Sequence, residues 1–161
     1  MHEILGIIQP AIVASRGELD ALGVKSIREG IATILWHMPV NMDPMLYAVA
    51  LQKPNPMKAL LEESGSFSIN FLDEKDHELA SICHRDGPRL HEPFKALSIP
   101  SGECTAIDCP YLEHSLLHLE CTVHSIIDLP DHFLIIGQVE KQQNNNKGKR
   151  LVTYHADDPA G

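Results

Sequence analysis

The chain has 161 residues, of which 43% are hydrophobic and 22% charged, and its formal net charge is −9. That length favours one domain, 1–161, and lets roughly 70% of the unfolded surface be buried. The acidic balance excludes a nucleic-acid partner, whose phosphates reward clustered Lys and Arg, but allows one small anion held at a local positive spot.

Residues 11–15, AIVAS, predict a short strand. Residues 17–30 mix Gly, charge and single apolars without a period, which predicts irregular chain. Within 33–52, TILWHMPV and MLYAVALQ predict two strands, separated by the turn chemistry of Asn41, Met42, Asp43 and Pro44. In PNPMKALLEESG, Asn55 suits an N-cap and Pro56 the first helical position. Met57, Leu60 and Leu61 then form an apolar stripe and Gly65 a stop, which predicts a short helix. SFSINFL over 66–72 predicts a strand with Phe67, Ile69 and Phe71 on one face, and Asp73 is placed to cap a second helix, EKDHELASICH. Residues 86–110 read mostly as loop. HLECTVHSIIDL predicts a long strand with Leu119, Cys121, Val123 and Ile127 on one face. HFLIIGQVEKQQ predicts another, buried on both faces over 133–136. NNNKGK reads as a hairpin loop and LVTYH as the strand that closes the ladder. About seven strands and two short helices, without sustained strand–helix alternation, predict a mainly β fold: an antiparallel barrel with inserted helices.

No apolar run approaches the ~20 residues of a membrane-spanning helix, so no membrane partner is expected. The opening MHEILGII carries an acid and no basic region, unlike a signal peptide. Cys83, Cys104, Cys109 and Cys121 show no Cys-x-x-Cys spacing, and the ten histidines are scattered. No metal site is therefore expected, and reduced thiols in a cytoplasm are the simplest reading.

Three features carry possible chemistry, each with a plainer structural reading. The helix start after Lys53 and Asn55, flanked by Lys58, favours an anion, although capping alone explains the same residues. Trp36, the only tryptophan, is a core or interface aromatic or a flat wall against a ring, with His37 on the opposite strand face. Asp131 and His132 stand at the mouth of an apolar strand, as a solvated turn or as part of a site. In the turn reading the Asp131 side chain accepts from nearby backbone N–H groups. Gly137, inside that strand, marks a bulge or a close approach by another group.

The order of these pieces resembles the flavin reductase-like family of FMN-binding split barrels. The stretch ILWHMPVNMDPMLYAVALQKPNPMKALLEESGSFSINFLDEKDHELA, then LHLECTVHSIIDLPDHFLIIGQVE, then LVTYH, follow the family's sequence of parts over about residues 30–155. The resemblance implies a split antiparallel β-barrel with short inserted helices. It also implies a homodimer that holds FMN, with NADH or NADPH as electron donor and a small molecule or protein as acceptor. By resemblance the isoalloxazine lies along Ile34, Leu35, Trp36, His37 and Met38 and along Ala50, Leu51 and Gln52. The phosphate is then held near Lys53, Asn55 and Lys58, and Asp131 with His132 positions the nicotinamide. The chain departs from the family pattern at Pro130, where Gly is usual before Asp-His, and at Pro56, where Ser or Thr is frequent. It also has Met45 in the Asp-Pro turn, Glu92, Pro93 and Phe94 in place of Asp-Lys-Phe, and a poor match over 17–30. Two alternatives stay open: a flavoredoxin-like electron carrier without a nicotinamide site, and a flavin-less split-barrel binding module.

Overall fold

The structure is a computed structural model that describes residues 8–152. It begins with a long hairpin, β1 (Ala11–Ala21) and β2 (Val24–Ile34), paired in unbroken register from Ala11 opposite Ile34 to Ala21 opposite Val24. Leu22 and Gly23 join the strands with φ of 54° and 80°. Positive φ at both turn residues matches the twist of a two-residue hairpin, and glycine meets that demand without strain. Residues 17–30 are thus strand, not irregular chain. The hairpin's outer end, with Leu22, Val24 and Ile27 exposed, lacks the apolar alternation that marks a half-buried strand.

After the hairpin come β3 (His37–Asn41), β4 (Leu46–Gln52), α1 (Met57–Ser64), β5 (Ser66–Phe71) and α2 (His77–Arg85). The chain continues through α3 (Pro93–Ala96), the small pair β6 (Ser101–Glu103) and β7 (Pro110–Leu112), and the long strands β8 (Leu117–Asp128) and β9 (His132–Asn144). Seven strands form one antiparallel sheet in the order β2-β1-β5-β8-β9-β4-β3. β2 and β3 lie at opposite edges of this sheet, yet only Leu35 and Trp36 separate them in sequence. The three Cα–Cα steps from Ile34 to His37 reach at most ~11 Å, so the sheet must curl until its edges meet. The result is a split barrel. The predicted strand TILWHMPV is divided at this junction between the end of β2 and β3.

Alternation along the strands sorts side chains between the barrel interior and its outer layer. Phe67, Ile69, Leu119, Cys121, Val49, Leu51 and Ile135 fill the interior with Met57, Leu60 and Leu61 of α1. Ile12, Ala14 and Ile31 face the other way, against Ala80 and Cys83 of α2, Phe94 of α3 and Leu112 of β7. Each large apolar side chain buried this way contributes about 1.5–3 kcal/mol. A Cβ on Gly137 would lie 2.6 Å from Cζ of the buried Phe67 and 3.0 Å from Cβ of Cys121. Close approach is therefore the reason for that glycine.

Several local expectations are corrected. α1 begins at Met57, after Pro56, and Asn55 contributes by accepting the Met57 N–H at 2.9 Å. Gly65, at φ 69°, does end the helix. Asp73 caps a 3-10 turn, Glu74–Asp76, ahead of α2. The 86–110 segment contains a second 3-10 turn, Gly87–Arg89, together with α3 and β6. On β8 the register shifts between Val123 and Ser125, so Ile126 opposes Ile135 and packs on the core. Ile127 opposes Leu134 on the outer face and is exposed. On β9, within 133–136, Ile135 is buried while Phe133, Leu134 and Ile136 are half-buried. The closing strand is reduced to a bridge between Arg150 and Asp73, followed by Leu151 donating to the Leu72 carbonyl at 2.9 Å. The remainder of LVTYH, 153–155, lies outside the described residues. No helix among the described residues is long and apolar enough to cross a membrane.

Candidate functional site

The split in the barrel is a cleft of about 560 Å³. Its walls come from the end of β2 (Ala32, Thr33, Ile34), the junction Leu35–Trp36, and the end of β4 (Ala50, Gln52). Lys53, Pro54 and Asn55 form one end, His132 of β9 lies beside Gln52, and His84 and Pro88 close the α2 side. The register explains this selection. On β4, Ala50 and Gln52 point outward, while Val49 and Leu51 point into the barrel and are buried. Leu51, expected in the site, is therefore a core residue. Ala32 and Ala50 are small and leave the space beside the indole open.

Trp36 stacks on the His132 ring, with centroids 4.8 Å apart and planes 29° from parallel. His132 Nδ1 donates to the Asp131 carboxylate at 2.6 Å, which leaves Nε2 of the neutral ring as an acceptor. The His132 side chain is 16% exposed, against 88% for Asp131. The Asp131 side chain engages the ring instead of the backbone groups the turn reading gave it. The backbone holds the pair rigidly: Lys53 N–H donates to the Asp131 carbonyl at 3.0 Å, and Leu129 N–H to the His132 carbonyl at 2.9 Å. An imidazole fixed by a strand end, a carboxylate and an indole can orient a polar ring bound in the cleft.

The positive end differs in detail from expectation. Lys53 is tied to the Asp128 carboxylate and donates to the Leu129 carbonyl at 2.6 Å, with its ammonium 4.6 Å from the centre of the Phe133 ring. That contact holds the Asp128 carboxyl below its ordinary pKa. Lys58 also sits over Phe133, at 5.0 Å, pairs with Glu62 at 3.4 Å, and does not line the cleft. At the helix start Met57 N–H is taken by Asn55 Oδ1, and Lys58 N–H points to the Asn55 carbonyl at 3.3 Å. Lysine charge at this corner is thus the surer anion attractor than open helix N–H groups.

His37 turns away from the cleft into the barrel. Its Nδ1 accepts from the Tyr47 hydroxyl at 2.7 Å and its Nε2 donates to the Gln9 carbonyl at 2.5 Å. Burial keeps this imidazole below its usual pKa, and burial pushes the Tyr47 hydroxyl up to about 12. Met38 lies on the outer sheet face opposite Ala48, exposed and outside the cleft lining, and Asp131 touches the cleft only through His132. The structure thus brings together Ile34, Leu35, Trp36, Ala50, Gln52, Lys53, Asn55 and His132, and leaves out His37, Met38, Leu51 and Lys58. It adds His84 and Pro88, which no spacing in the sequence connects to Trp36.

The chain matches the family described as flavin reductase like domain over residues 9–159. It is 30% identical over 115 residues to the reductase subunit HsaB of a flavin-dependent monooxygenase from Rhodococcus jostii (strain RHA1), covering 71% of this chain and 56% of that protein. It is 32% identical over 115 residues to an NADH-dependent flavin reductase from Rhodococcus sp, covering 71% and 60% of the two chains. The chain therefore spans less than two thirds of the length of these relatives. Among solved structures, the NADH:FAD oxidoreductase SgcE6 of Streptomyces globisporus C-1027 superposes with a TM-score of 0.79 at 16% identity, covering 94% of this chain and 86% of that one.

Proposed function

The chain belongs to the flavin reductase like domain family, and from that premise we propose that the cleft binds FMN and that NADH or NADPH reduces it there. The observation that carries this reading is the stacked Trp36–His132 pair in an open cleft with a lysine at one end. These residues fit a flavin: Ala32 and Ala50 leave room for a flat ring beside the indole, and Lys53 supplies positive charge for a phosphate. When bound, the flavin would accept a hydride from the nicotinamide and pass electrons onward.

The chain's own part is binding and orientation. Gln52 presents its side-chain amide at one edge of the cleft. Lys53 holds a phosphate by exchanging its contact with the exposed Asp128. His132, locked by Asp131, orients the carboxamide end of the nicotinamide through Nε2, and His84 borders the opposite wall. Hydride transfer needs no acid or base from the protein, so Asp131 and His132 act by positioning. The acceptor is a diffusible small molecule or a partner protein, and the reductase subunit named above supports an oxygenase partner.

The protein acts as a homodimer in this reading. The outer face of β4 and β9 continues from the cleft through Leu134 and Ile136 to the exposed Met38 and Ile127, an apolar surface suited to a second copy. Cys83, Cys104, Cys109 and Cys121 are all free thiols, which supports a cytoplasmic setting. Calorimetric titration of the protein with FMN and with FAD tests the cofactor assignment. Tighter binding of FMN is expected. Tighter binding of FAD, or heat from neither, counts against it.

A further inference from the structure

Away from the cleft, β8 carries a second cluster of side chains. On a strand, residues two apart share a face. His118 and Glu120 therefore project together from the side opposite Leu119 and Cys121, and both are fully buried. His118 Nε2 lies 2.8 Å from Glu120 Oε2, and the Cys104 thiol completes a trio whose ligand atoms all lie within 4.8 Å of one another. Cys104 directly follows β6, so folding joins residues that no short motif links.

The surroundings hold these groups in place. The other Glu120 oxygen, Oε1, accepts the N–H groups of Thr105 at 3.1 Å and Ala106 at 2.7 Å, which leaves Oε2 aimed at the imidazole. The His118 ring stacks on Tyr111, centroids 4.0 Å apart and planes 13° from parallel. Its far nitrogen, Nδ1, is hydrogen-bonded to the Asn145 amide at 2.9 Å. Asn145 Nδ2 also donates to Ser115 Oγ at 2.9 Å, and Asn145 Oδ1 accepts from Gln143 Nε2 at 3.1 Å. The amide is thus a donor to the ring here, and accepts a ring proton only if it turns end for end together with Gln143 and the Ser115 hydroxyl. A metal-bound imidazole donates its other ring N–H to an outer acceptor, the part the turned Asn145 amide would play.

We infer that Cys104, His118 and Glu120 form a binding site for one divalent cation of the zinc class. A thiolate, an imidazole and a carboxylate are the ligand types that a borderline-soft, four-coordinate ion takes from proteins. The fourth position falls to water on the half-exposed Cys104 side, because the Cys109 thiol is engaged with the Ala14 and Pro110 carbonyls at 3.2 and 3.3 Å. On binding, the Cys104 thiol gives its proton to solvent. His118 shifts its proton from Nε2 to Nδ1, the Asn145 amide turns end for end to accept it as Gln143 and the Ser115 hydroxyl re-pair, and Glu120 binds as the carboxylate it already is. One proton is released per ion, so affinity falls as pH is lowered. The ion would clamp the segment after β6 onto β8, a role separate from the cleft.

Cobalt(II) added to the chelator-stripped full chain, kept reduced without added thiols, reports on the site by its spectrum. One equivalent is expected to produce a near-ultraviolet thiolate-to-cobalt band and intense visible bands of low coordination, all removed by zinc. Cys104→Ser is expected to abolish the near-ultraviolet band. Asn145→Ala keeps that band but weakens binding about 10–100-fold. Glu120→Gln, which still accepts the Thr105 and Ala106 N–H groups, is expected to weaken binding by at least as much, and circular dichroism verifies its fold. No thiolate band in the wild-type chain, or a band that survives Cys104→Ser, overturns the site and leaves the trio as a polar clasp for the loop.

Discussion

His132 shows what one residue's setting adds to its identity. An Asp-His pair before an apolar run is readable as a strand mouth, but its stacking on Trp36 depends on β9 lying beside β4. If His132 orients the nicotinamide, His132→Ala removes one directed contact and leaves FMN binding nearly intact. The loss is about 1–3 kcal/mol, or roughly tenfold or more in the rate of flavin reduction by NADH. Stopped-flow bleaching beside melting curves separates this from a stability defect, since an unchanged rate in a folded variant removes the role. His37 illustrates the opposite case. It follows Trp36 directly, and strand alternation sends it inward to Tyr47. Its folded pKa lies below the ordinary 6.5. As pH falls below about 6.5, the unfolded chain takes up a proton that the folded chain refuses. Stability is therefore expected to fall on acidification through that window and to level off below the folded pKa. His37→Phe should lose this slope and, by leaving the Tyr47 hydroxyl without its acceptor, cost about 1–3 kcal/mol. Denaturant melts across that pH range measure both. Gly137→Ala forces a methyl against Phe67 and is expected to cost about 1–3 kcal/mol, seen as a lower Tm.

Elements bounded by strong local chemistry were legible, and those defined by partners were not. α1 has a proline before it and a glycine after it, so its extent could be read closely. Gly65 holds a left-handed conformation, and Gly65→Ala is expected to cost about 1–2 kcal/mol. A thermal melt that shows no loss would mean the helix end adjusts freely. The hairpin of β1 and β2 leaves no periodic signal in the sequence because both faces of its outer end meet solvent, which erases the period a half-buried strand displays. The irregularity in β8 was equally silent. A one-residue slip exchanges Ile126 and Ile127 between core and surface, and nothing in SIID marks where the slip falls. His84 lines the cleft because α2 packs beside β2, a long-range placement that no helical period announces.

At the scale of the whole molecule, the cleft follows from connectivity. Strands at opposite sheet edges are joined through Leu35 and Trp36, so the barrel must curl and the indole must stand at its seam. The mainly β, antiparallel character is readable from patterning; the strand count is not, since about seven are expected against nine among the described residues, with LVTYH reduced to a bridge and β6, β7 and most of β2 unmarked. The strand order is not readable either, since it depends on pairings between residues as distant as Ala50 and Leu134. The outer face of β4 and β9 leads to the dimer expectation: light scattering at micromolar concentration should give twice the 17.9 kDa chain mass. Ile127→Lys, which sets a charge in that face, should shift the mass towards monomer; a wild-type monomer would remove the dimer. Trp36 is the only tryptophan in the chain, and it lines the cleft, so its emission reports on a flavin bound there. Anaerobic titration with FMN is expected to quench that emission to saturation at equimolar flavin, and NADH added next is expected to bleach the visible flavin band. Tryptophan emission indifferent to excess FMN, or bound FMN that NADH leaves coloured, contradicts flavin reduction in this cleft.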